Sequence, residues 1–155
     1  LGGGATFNGS SFVTITNHAE LSPAEISLGG WFYLPATASS DTASQTLISK
    51  GVYELSIDPH STAANQLRAK VNLFGLGDIT TETGTVLQTE DSVTLEGDTI
   101  FDNEITNSFN PNAWNHIWIT WKSPNLRLYL NNSLVASNTT ADGVLQSNSN
   151  NLVIG

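Results

Sequence analysis

Apolar and polar residues alternate in short blocks along most of the chain. The blocks are "FVTIT" (12–16), "ISLGGWFYL" (26–34), "QTLISK" (45–50), "YELSID" (53–58), "QLRAKVNLF" (66–74), "HIWITWK" (116–122), "NLRLYL" (125–130) and "NLVI" (151–154). Period-two alternation sends successive side chains to opposite faces of a strand. Gly, Pro, Asn, Asp and Ser lie between the blocks and supply turn geometry. Many short strands at roughly 8 to 12 residue spacing predict an all-β sandwich or barrel. "NHAELSPAEI" (17–26) reads as a helical turn, and Pro23 limits it to a short piece. No repeat of solenoid period runs through the sequence.

The pleat of "NHIWITWK" assigns its two faces. Asn115, Ile117, Ile119 and Trp121 point one way, and His116, Trp118, Thr120 and Lys122 the other. In the next block Leu126, Leu128 and Leu130 share one face, with Arg127 and Tyr129 on the opposite one. The aliphatic sets are core, and Trp31 is expected to be buried with them. Asn131-Asn132 reverses the chain, because Asn tolerates the positive φ of a tight hairpin turn.

These residues carry a resemblance. "NAWNHIWITWKSPNLRLYLNNSLVAS" resembles the W-x-H-[IV]-x-[IV]-T-[WY] strand and "LYVNGxLVA" hairpin of the laminin-G-like, pentraxin and concanavalin-A-like jelly-roll superfamily. "ATFNGSSFVTITN", "ISLGGWFYLP", "TLISKGVYELSID" and "NNLVIG" resemble further strands of that family, in the family's order. The resemblance implies an antiparallel jelly-roll β-sandwich over residues 1–155, a single domain or a fragment of one, with an acidic inserted segment at 75–110. It also implies a further closing strand of the type "FxGxIDEVRIY", which the 155 residues do not contain. An N-terminal strand around Ala5 to Asn8 is then expected to present an open edge, a template for another chain or a continuation of this one.

Composition narrows the partners. Only Lys50, Arg68, Lys70, Lys122 and Arg127 are fixed cations in a chain of net charge −9. Nucleic acid and anionic lipid are therefore poor partners. No apolar run approaches the roughly 18 residues of a spanning helix, so no membrane insertion is expected. With no cysteine there is no disulfide, thiolate nucleophile or cysteine-type zinc site. Abundant Ser, Thr and Asn with little Lys and Glu suggest a secreted, cell-surface or virion protein. The opening "LGGGATF", without an initiator Met, suggests a piece of something longer.

The inserted segment holds Asp78, Glu82, Glu90, Asp91, Glu96, Asp98, Asp102 and Glu104, eight of the fourteen acidic residues, and no Lys or Arg. Clustered carboxylates suit a hard cation, and calcium is common in the resembled family. The other reading is a solvated face, since no D-x-[DN]-x-[DN]-G spacing is present. Within the segment, "TVLQT" and "SVTLEG" suggest an extra hairpin.

Catalysis finds little support. Glucanases of the resembled family carry E-x-D-x-E on one strand, which sets two carboxyls about 5 Å apart. That motif is missing, and "EGDTIFDNE" (96–104) has the wrong spacing. His18, His60 and His116 have no nucleophile or ligand pattern beside them, and no nucleophile elbow is marked.

Trp118 is singled out because the resembled family has a small residue there. An indole on the face of His116 and Thr120 could stack a sugar ring or anchor a protein, unless the inserted hairpin folds over it. The candidate contact residues are Trp118, Tyr129 and His116, with Asp98, Asp102 and Glu104 of the insertion. The expected function is a non-catalytic binding or adhesion module of a larger secreted or surface protein, recognising glycan or protein. The alternative is a structural component of a virion or extracellular filament, self-associating through the open sheet edge.

Overall fold

The computed structural model describes residues 3–35, 45–58, 66–78 and 96–155. The strands, in chain order, are β1 (Val13–Ile15), β2 (Ile26–Leu34), β3 (Gln45–Ser49), β4 (Tyr53–Asp58), β5 (Gln66–Asp78), β6 (Glu96–Ser108), β7 (Ala113–Lys122), β8 (Asn125–Leu130), β9 (Ser133–Asn138), β10 (Val144–Leu145) and β11 (Leu152–Ile154). One 3-10 turn, Ala19–Leu21, stands where the sequence suggests a short helical piece.

Two antiparallel sheets form a sandwich. The larger has seven strands in the order β1-β11-β3-β4-β5-β10, with β6 also paired to β5. The smaller runs β2-β7-β8-β9. Leu55, Ile57, Leu67, Ala69, Val71 and Leu73 of β4 and β5 are buried, as are Ile117, Ile119, Trp121, Leu126, Leu128 and Leu130 of β7 and β8. Each large apolar side chain contributes roughly 1.5–3 kcal/mol by leaving water. Trp121 also donates its indole N–H to the Ala141 carbonyl at 3.0 Å, so its one polar atom is paired inside the core.

Trp31 corrects the expectation of burial, being 65% exposed. The pleat of β2 sends Ile26, Leu28, Phe32 and Leu34 inward, the first and last buried and the other two packed against the core. Trp31, of opposite parity, pairs across with His116 on the outer face.

Turn chemistry sets the frame of the smaller sheet. Asn131 and Asn132, at φ 50° and 68°, form the two-residue β8–β9 hairpin that the sequence predicts. Buried Asn115 accepts from the Asn110 N–H at 3.1 Å and donates to the Asn110 and Ala113 carbonyls at 2.8 and 3.0 Å. It thereby fixes where β7 begins.

The N-terminal edge differs from expectation. Residues 5–8 lie outside any strand, because Asn8 turns the chain. Its side-chain oxygen accepts from the Ser10 N–H at 3.0 Å and the Ser11 hydroxyl at 2.7 Å, a local bond that competes with strand pairing. The edge falls instead to β1, paired with β11 on one side. Phe12, Val13 and Ile15 are exposed there.

The insertion enters through a long ribbon, with β5 and β6 in register from Gln66↔Ser108 to Asp78↔Glu96. "TVLQT" and most of "SVTLEG" lie outside the described residues, as do Glu82, Glu90, Asp91 and His60. Described β6 packs inward on β8 and β9, where Asn107 donates to the Val135 carbonyl at 3.0 Å.

At the far corner Lys50 is fully buried. Its ammonium donates to Asn17 Oδ1 and Asn148 Oδ1, each at 2.9 Å, to the Asn148 carbonyl at 3.2 Å and to the Asn150 carbonyl. Burial lowers its pKa from the ordinary lysine value.

Candidate functional site

The outward positions of the four-stranded sheet fall into rungs fixed by register. Tyr33 pairs with Trp114, and Trp31 with His116. Gly29, Trp118, Tyr129 and Leu134 follow as the next rung, then Ser27, Thr120, Arg127 and Ser137. Successive rungs are separated by two residues of strand, about 6.6 Å.

Three of the four rungs are aromatic. Trp31 and His116 have ring centroids 5.1 Å apart at 46°. His116 and Trp118 stack at 6.1 Å and 22°. Tyr33 and Trp114 meet edge to face at 5.8 Å and 69°. Trp31, Tyr33, Trp114 and Leu134 are each more than half exposed. A run of this kind is far from the single scattered apolar residues of an ordinary surface.

Gly29 shapes the centre of the platform. A Cβ there would lie 2.1 Å from the Ile117 carbonyl oxygen and 2.8 Å from the Trp118 ring. With that space open, the Trp118 indole leans over β2 and donates to the Ser27 hydroxyl at 2.9 Å. Trp118 is thus half-buried with its indole against β2 of its own sheet, while the hairpin expected from "TVLQT" and "SVTLEG" lies largely outside the described residues.

The charge of this sheet is unlike that of the chain. None of its four strands contains Asp or Glu, and two of them carry Lys122 and Arg127. Lys122 meets Glu25 at 2.7 Å, just ahead of β2. Arg127 is exposed, and no ion pair holds it among the described residues.

The structure therefore brings three of the six sequence candidates together, Trp118, Tyr129 and His116. Asp98, Asp102 and Glu104 stand on β6 in the other sheet, opposite Leu76, Asn72 and Lys70 of β5. Among the described residues no three His, Cys, Asp or Glu side chains converge as a metal site would require. His18 is occupied locally, its Nδ1 accepting from the Glu20 N–H at 3.4 Å at the start of the 3-10 turn.

Trp31, Tyr33, Trp114 and Arg127 complete the face and were not singled out from sequence. Parity within "ISLGGWFYL" is the signal that could have found the first two. Once Ile26, Leu28 and Leu34 face inward, Trp31 and Tyr33 must face outward.

A laminin-G-type family model, described as the concanavalin A-like lectin/glucanases superfamily, matches residues 7–155. Comparison with curated proteins returns no match. Among solved structures the chain is similar to the binding domain of Paraclostridial mosquitocidal protein 1, at 13% identity and a TM-score of 0.62, over 95% of this chain and 33% of that one. It is also similar to the receptor binding domain of botulinum neurotoxin D, at 14% identity and a TM-score of 0.57, over 93% of this chain and 32% of that one. The chain spans about a third of the length of both, and the likeness is one of fold.

Proposed function

We propose that this chain, which belongs to the concanavalin A-like lectin/glucanases superfamily, is a non-catalytic module that binds a glycan on the outer face of its four-stranded sheet. One observation carries the reading: the aromatic rungs from Tyr33–Trp114 through Trp31–His116 to Trp118–Tyr129, in which Tyr33, Trp114 and Trp31 are exposed and His116, Trp118 and Tyr129 half-buried. Aromatic faces offer large, rigid apolar area to the C–H face of a pyranose, and tryptophan adds one donor. Strand-borne rings are held in place before the ligand arrives, which lowers the entropic cost of binding. The similar solved structures are named as binding domains, which supports a recognition role for this architecture. The setting that suits it is a larger secreted, surface or virion protein.

The test is a glycan array probed with the soluble chain, followed by titration of the hits. Trp31→Ala and Trp114→Ala should each weaken the hits at least tenfold without unfolding the protein. Binding that survives both substitutions would remove the platform from the reading, as would a blank array.

A second reading, assembly through the sheet edges, draws on β1. Among the described residues it pairs only with β11, Val13 and Ile15 are exposed on it with Phe12 just ahead, and open edges template further strands. In that reading the chain is a structural component of a virion or filament. Concentration-dependent association abolished by Val13→Lys is the expected outcome. Monomer at millimolar concentration would end it.

A further inference from the structure

Beyond the platform itself, we infer that its ligand is an acidic saccharide, whose carboxylate or sulfate is taken by Arg127 while its rings lie on the aromatic rungs. The inference rests on the glycan-binding reading and adds the charge of the ligand.

Two independent features point to it. The first is the distribution of charge. Every acidic residue in the described strands lies in the seven-stranded sheet, while the four-stranded sheet has Lys122 and Arg127 and no Asp or Glu. A net charge of −9 averages over this asymmetry and conceals it. An anion approaching the aromatic face meets Arg127 with no carboxylate on the same four strands, within the Debye length of about 8 Å over which charges act at physiological salt.

The second is the position of Arg127. It is opposite Thr120 on the rung directly beside Trp118–Tyr129, about 6.6 Å along the strand. A pyranose stacked on the Trp118–Tyr129 rung would present its exocyclic groups to the guanidinium. Lys122, one rung further out, is already paired with Glu25, so among the described residues Arg127 is the cation of this face that no ion pair occupies. A planar guanidinium with five donors matches the two oxygens of a carboxylate or sulfate, and such charge-assisted bonds are about twice as strong as neutral ones.

The test uses three hexasaccharides by calorimetry at low and at high salt: chitohexaose as the neutral chain, hyaluronan with carboxylates only, and chondroitin 4-sulfate with both anions. The acidic chains should bind at least tenfold tighter than chitohexaose and lose that advantage in salt. Arg127→Ala should remove the advantage, about tenfold, whereas Trp31→Ala weakens all three. The ratio of the two acidic chains assigns the anion to carboxylate or to sulfate. Equal affinity for neutral and acidic chains, or indifference to Arg127→Ala, overturns the inference. If Trp31→Ala still abolishes binding in that case, the glycan platform stands. Failure of all three chains to bind overturns both.

Discussion

The two sheets of this sandwich share one core and differ in almost everything they show to solvent. The four-stranded sheet presents tryptophan, tyrosine and histidine in ordered rungs with an open arginine. The seven-stranded sheet gathers the acidic residues, extends into the long β5–β6 ribbon and ends in the short edge β1. Sheet formation constrains only the inward half of each strand, since the other half is free of packing demands. The outward half can therefore take on separate work on each sheet, and the proposed binding face rests on the difference between them.

Tryptophan offers the hardest test of that division, because one residue type occurs on both sides of one sheet. Trp121→Ala should cost about 3–5 kcal/mol, from a core cavity and from the Ala141 carbonyl losing its donor. Urea unfolding measures it, and a loss below about 1 kcal/mol would mean that Trp121 is not a core residue. Trp31→Ala should leave stability within about 0.5 kcal/mol while removing glycan binding, the reverse pattern.

Gly29→Val should come next, at about 1–3 kcal/mol, because the new side chain collides with the Ile117 carbonyl and the Trp118 ring. It should also expose the indole of Trp118, read as a red shift in its fluorescence. An unchanged emission maximum would show that Trp118 does not rest on Gly29.

Alkaline pH separates the sheets in another way. Burial raises the pKa of Tyr53 on β4 above 10.0, and its hydroxyl donates to the Leu21 carbonyl at 3.0 Å. The unfolded chain then ionises first, so this contribution is complete below pH 10 and is lost as pH rises through the folded value. Lys50 has the opposite sign: its folded pKa is lowered, so its cost is greatest at low pH and fades as pH approaches 10.5. Tyr53→Phe should flatten the alkaline loss, and Lys50→Met the alkaline gain, in stability measured from pH 8 to 11. Neither substitution should touch the aromatic face. Smallest of all, Glu104→Gln on β6 should change neither glycan affinity nor stability beyond about 0.5 kcal/mol. A clear loss of affinity would draw the acidic ribbon into the site.

The sequence made the sandwich legible because inward-facing positions obey a strict period. Ile117, Ile119, Leu126 and Leu128 are buried where alternation puts them, and β2, β4 and β8 have the predicted bounds. Trp31 lies outside the core because parity along β2, and not hydrophobicity, decides its face. The β1 edge was misplaced because Asn8 makes side-chain bonds that alternation does not register. The His116–Trp118–Tyr129 half of the platform follows from one hairpin. Its Trp31 and Tyr33 half comes from a strand about eighty residues earlier, and only sheet register, a long-range property, brings the halves together.

Lys50 ties three distant stretches of chain at one corner: Asn17 after β1, the β3–β4 turn, and the Asn148–Asn150 segment leading into β11. Four oxygens converge on one positive centre, the same hard donors that a loop-clamping calcium ion would gather in a set of six to eight. Here the ion is tethered to the backbone by its own side chain, so its local concentration does not depend on the medium. This corner should therefore hold its shape in chelator as well as in calcium, and the β1–β11 pairing beside it inherits that indifference.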